Sequence, residues 1–121
     1  PALPTPPTLE ELRAGALKAV NFWAFTQQNA GFMWNGKKFQ SDAAAREALL
    51  TCHAGGIGTK LGYWRDADNN NVPDGSAGMV GSLVQAMLAR GEEIFIRRDT
   101  LKEFVRGATI EQLTDFAPSW D

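Results

Sequence analysis

The chain has 121 residues, enough for one domain whose core needs no disulfide or metal to hold it together. Hydrophobic residues make up 44% and charged residues 21%, and 12 Lys+Arg against 14 Asp+Glu leave a net charge of −2, which excludes strong attraction to nucleic acid or an anionic membrane. No apolar run reaches the roughly 20 residues of a membrane span, no basic region leads an apolar stretch as in a signal peptide, and the single cysteine, Cys52, rules out an internal disulfide and fits a cytosol-like redox setting. Pro1-Ala2 reads as what is left when an initiator Met is removed before a small residue, so a nearly complete protein is expected.

Residues 1–8, PALPTPPT, hold four of the six prolines and cannot be helical. They read as a proline-rich, extended arm ahead of a single helical domain over 9–121. Thr8 and Glu11 then form a capping-box pattern, and Leu9, Leu12, Ala16, Val20 and Trp23 recur at helical spacing. A first helix is predicted from Leu9 to Gln28, stopped by Asn29-Ala30-Gly31. Phe22, Trp23 and Phe25 cannot all share one face of it, so at least one packs elsewhere.

Asn35-Gly36 is a strong hairpin signal because both turn positions tolerate a positive φ. One short β-hairpin is expected near 32–40, with strands Phe32–Trp34 and Lys38–Gln40, lying on helices through Phe32, Trp34 and Phe39 because so small a ribbon is not stable alone. Ser41 or Asp42 caps a second helix whose inner face carries Ala45, Leu49 and Cys52. Gly55, Gly56 and Gly58 end it and begin a link. Tyr63-Trp64 returns to the core, and residues 66–75, DADNNNVPDG, read as a surface loop.

From Ser76 the helical pattern resumes. Val80, Leu83, Val84, Met87, Ile94, Leu101 and Val105 stay in phase across Gly91, so one long helix to about Arg106 is predicted. Strand-like alternation over 93–98 and a second capping-box pattern, Thr100…Glu103, mark Gly91 and Asp99 as the places where it could break. Thr109 and Gln112 cap a final short helix. The fold class is therefore mainly α, with the long C-terminal helix packed on the first helix.

Four motifs invite chemistry. Asp66, Asp68, Asn70 and Asp74 occupy calcium-loop positions 1, 3, 5 and 9, but Asn71 stands where the sharp turn wants Gly and Ala77 where a bidentate Glu belongs. No metal site is favoured, and an Asx-turn loop is the simpler reading. GGIGTKLG, residues 55–62, lacks phosphate-loop spacing and reads as a link. Cys52 and His53 are adjacent on a helix, so their side chains diverge by about 100° and do not pair as nucleophile and base. Arg97, Arg98, Lys102 and Arg106 are interleaved with Asp99 and Glu103, as on a solvated face. No catalytic residue and no cofactor emerge.

The order of signals is distinctive: an amphipathic helix; Trp34-Asn35-Gly36-Lys37-Lys38-Phe39; Asp42 heading a short helix; Trp64 with Asp68-Asn69 a few residues on; a long helix; Ala108-Thr109 with Leu113; and Trp120. Over about residues 9–121 this resembles a domain of unknown function found in tail-fibre-associated and tail-fibre-assembly proteins of tailed bacteriophages and prophages. GGIGTKLG before Trp64 and the Asn-rich 69–71 depart from that pattern. The resemblance implies a phage-tail context without enzymatic activity, in the host cytoplasm during assembly and then in the virion tail. It implies that Trp34, Phe39 and Trp64 pack the hairpin and loop onto the helices, and that Asp68 and Asn69 hold the loop through backbone amides.

The expected function is a tail-associated virion component that binds a neighbouring tail or tail-fibre protein, or a second copy of itself, with no nucleic-acid or membrane partner. A tail-fibre assembly factor absent from the mature virion is the alternative, and a calcium-dependent accessory using the 66–74 loop a third. Four Trp and seven Phe exceed what a core of this size hides, and aromatics are enriched where proteins meet. Phe22, Phe25, Phe32 and Trp120, with Pro4, Pro6 and Pro7 of the arm, are the candidate partner surface.

Overall fold

The computed structural model describes residues 3–121, which form two compact units, residues 3–25 with 95–121 and residues 26–94. The expectations for Pro1 and Ala2 lie outside the described residues. Among these residues the elements run α1 (Leu9–Gln28), β1 (Phe32–Trp34), β2 (Lys37–Phe39), α2 (Ala43–Ala54), β3 (Tyr63–Arg65), β4 (Asn71–Pro73), α3 (Ala77–Gly107) and α4 (Ile110–Thr114). The protein is mainly helical, with the long C-terminal helix on the first.

In the first unit, α1 starts at the capping box. The Glu11 amide donates to Thr8 Oγ1 at 3.1 Å and the Thr8 amide to Glu11 Oε1 at 3.2 Å, so two of the helix's unpaired donors are satisfied reciprocally. Ala16 and Val20, one turn apart, pack with Leu101 and Val105 of α3. Small residues on α1 let the two helices approach closely, and branched Val and Leu fill the seam. Ala108 and Leu113 close the cluster at the α4 end, where Thr109 and Gln112 form the predicted capping box. The Arg13 guanidinium donates to the Ala108 carbonyl at 3.2 Å. After α4 the chain folds back: Phe116 stacks on Phe104 at 5.8 Å, Trp120 meets Trp23 edge-on at 5.0 Å, and Arg97 Nε donates to the Ser119 carbonyl at 2.8 Å.

In the second unit, Phe32, Phe39, Leu49 and Val72 pack against Met79, Val80, Leu83, Val84 and Met87 of α3. Ser41 is buried, and it caps the end of α1 rather than the start of α2. Its hydroxyl donates to the Gln28 carbonyl at 2.6 Å and accepts from the Gly31 amide at 2.8 Å. Asp42 caps α2 by accepting from the Ala45 amide at 2.9 Å.

Two expectations need correction. The structure contains a second hairpin: β3 pairs with β4 antiparallel, with Trp64 opposite Val72, so the surface loop shrinks to residues 66–70. Pro73 is tolerated because it stands on the last rung of a two-stranded ribbon, where a missing N–H costs no interior bond. The first hairpin is also one residue tighter, with β2 at Lys37–Phe39. The long helix runs unbroken from Ala77 to Gly107. A Cβ at Gly91 would meet nothing within 4 Å, so that glycine marks an open face rather than a break. The apolar stripe outweighs the local alternation over 93–98.

Candidate functional surface

The partner candidates separate once placed. On α1, Trp23 turns inward, whereas Phe22 and Phe25 are 71% and 61% exposed. Three residues apart on a helix, they lie on one face about a turn along. Covering both rings would remove well over 100 Å² of apolar surface from water. Phe32 does not belong to this surface. It is 2% exposed because it pairs directly with Phe39, so both rings point to the core face and stack at 5.8 Å. Trp120 is half-buried against Trp23 and is better described as part of the fold. Pro4, Pro6 and Pro7 are exposed and lie outside any helix or strand.

The motif residues do structural work of different kinds. Asn35 and Gly36 both have positive φ, 51° and 76°, as the tight primed turn between β1 and β2 requires. Trp34 meets Phe39 edge-on at 6.1 Å, and Trp64 packs on the Phe32–Met87 cluster. Asp68 and Asn69 do not hold the loop through backbone amides as the resemblance implies, although Asn69 Oδ1 accepts from the Arg65 guanidinium at 3.4 Å. Asp66 does: its Oδ1 accepts from the Asp68 amide at 3.0 Å and the Asn70 amide at 2.9 Å, and its own amide donates to the Asn70 carbonyl. At 8% exposure Asp66 is the side chain that makes the expected Asx turn, the reading preferred over a calcium loop, although the sequence did not single it out from Asp68, Asn70 and Asp74. A carboxylate ringed by amides and a calcium ligand share the same Asp-x-Asp-x-Asn spelling, and it is Asn71 and Ala77 outside that spelling that separate the two readings.

Asp74 is likewise engaged, accepting from the Ser76 amide at 3.2 Å. Among the described residues no three His, Cys, Asp or Glu side chains group so as to hold a metal ion. GGIGTKLG is a packing device. A Cβ on Gly58 would fall 2.1 Å from the Gly75 carbonyl oxygen, and the Thr59 amide donates to that carbonyl at 2.8 Å. Cys52 is half-buried against the core, while His53 is exposed. Of the basic stretch, Arg97 holds the C-terminal segment, Arg98 lies 4.9 Å from the Phe95 ring centroid, and Arg106 pairs with Glu103. No helix among the described residues is long and apolar enough to cross a membrane.

A family model described as a domain of unknown function (DUF4376) matches residues 11–118. Neither a curated protein nor a solved structure matches the chain. The match spans most of both units, and the chain belongs to the DUF4376 family.

Proposed function

We propose that this DUF4376 protein is a non-enzymatic, bacteriophage tail-associated component that binds a neighbouring tail or fibre protein. The exposed Phe22–Phe25 face of α1 carries the reading. Two large rings side by side on one helix face form the kind of anchor that fills an apolar pocket on a partner. The tail setting is supported by the ordered Trp34-Asn35-Gly36, Asp42, Trp64 and Trp120 pattern of the sequence.

Mass spectrometry of gradient-purified virions tests it by counting copies of the chain per particle. A fixed copy number matching a tail symmetry is expected, and it should fall in a Phe22→Ala/Phe25→Ala variant that keeps its circular dichroism spectrum. Presence in infected cells with absence from particles would replace this reading with that of an assembly factor.

A further inference from the structure

We propose that the groove beside β3 receives the proline-rich segment of a second copy of the chain, residues 4–7 of one molecule docking on Tyr63 and Trp64 of another. The groove has a volume of about 500 Å³ and lies wholly within the second unit. Ala45 and Ala48 of α2 give it a smooth wall, and Gln40, Tyr63, Trp64 and Arg65 supply its chemistry. Trp64 is half-buried, with part of its ring on the core cluster. Yet the Trp64 indole N–H, the Tyr63 hydroxyl and the Gln40 amide have no intramolecular hydrogen-bond partner, and none is a buried unsatisfied group among the described residues. Two aromatic rings therefore line the groove, one face of Tyr63 being covered by the Arg65 guanidinium 5.9 Å from the ring centroid, and three polar groups able to donate are accessible in it.

The proline segment is the complement. A polyproline II strand makes no internal hydrogen bonds, so its carbonyls are all available, and proline brings no N–H of its own. Such a ligand is nearly acceptor-only, with flat rings that pack on aromatic faces, and it docks in aromatic-lined grooves at little entropic cost because it is already extended. Pro4-Thr5-Pro6-Pro7 has the P-x-x-P spacing and is exposed. With three residues per turn, Pro4 and Pro7 share one edge about 9 Å apart.

Sedimentation equilibrium of the full chain from micromolar to millimolar tests this. Concentration-dependent self-association is expected, weakened at least tenfold by Pro4→Ala/Pro7→Ala and comparably by Gln40→Ala/Trp64→Phe. The second variant keeps an aromatic ring at position 64, smaller than indole, and removes two donors. Because the first retains its groove and the second its proline segment, mixing them should restore hetero-association above either alone. Gln40→Ala by itself reads the groove should Trp64→Phe disturb folding. Self-association absent at millimolar concentration, or unchanged by the proline variant, would overturn the proposal. So would a strictly monomeric chain whose Trp64 indole resonance shifts on proline substitution, because the segment would then occupy its own groove. The proposal is independent of the tail reading, and either can fail without the other.

Discussion

The two hairpins are the same size and are built on opposite principles. β1–β2 closes through a two-residue turn whose geometry is set by the backbone, with Asn35 and Gly36 at positive φ. β3–β4 closes through residues 66–70, and its turn is set by a side chain, the Asp66 carboxylate that collects the Asp68 and Asn70 amides. A single hydrogen bond, from the Ala67 amide to the Lys38 carbonyl at 2.8 Å, links one ribbon to the other. A backbone-coded turn is robust to its neighbours and readable from a dipeptide. A carboxylate-coded turn depends on one buried atom: the Asp- and Asn-rich spelling announces an Asx turn but not which carboxylate closes it.

Urea unfolding of single variants can break or sharpen this contrast. The largest effect is expected at Phe39→Ala. Its ring is 1% exposed and shared by Phe32 and Trp34, so about 3–5 kcal/mol should be lost as the first ribbon comes off the core. Asp66→Ala should follow at about 2–3 kcal/mol, because two amides lose their acceptor in a part-buried site, and hydrogen exchange should quicken at Asp68 and Asn70 before it does at the first turn. Gly36→Ala should cost about 1–2 kcal/mol, the penalty of a Cβ at φ 76°, with no steric term because nothing lies within 4 Å. Asp68→Ala should change stability by less than about 0.5 kcal/mol, since that side chain is exposed and accepts no bond. Equal costs at Asp66 and Asp68 would remove the distinction between the turns.

The same contrast explains what was legible. The bounds of α1 follow from Thr8, Glu11 and the Asn29-Ala30-Gly31 stop, all local signals that the structure retains, Gly31 with φ 96°. The length of α3 follows from a stripe of apolar residues long enough to overrule local alternation. β3 and β4 were not legible because Asn71 and Pro73 are poor strand formers. Their pairing rests on Trp64 and Val72 reaching the core and on Asp66, which are tertiary facts. On the candidate surface, the crowding of three aromatics within four positions foretold that at least one would leave the core face, and both Phe22 and Phe25 do. Phe32 was read both as a ribbon anchor and as partner surface; the structure keeps the first and removes the second, because facing Phe39 across the ribbon puts its ring on the core side.

The approach of Gly58 to Gly75 has a consequence for engineering. The chain leaves and returns at one point, so residues 59–74 form a cassette whose two ends already touch. Loop-closure cost rises only slowly with length, about 0.6 kcal/mol per doubling, but sequence added at the exposed tip between Asn69 and Asn70 also draws Asn70 away from the Asp66 carboxylate and amide that hold the turn. Foreign epitopes or reporter peptides grafted into the cassette must keep Asp66 and Asn70 together, and the glycine gate must be left as it is, without so much as a methyl group added.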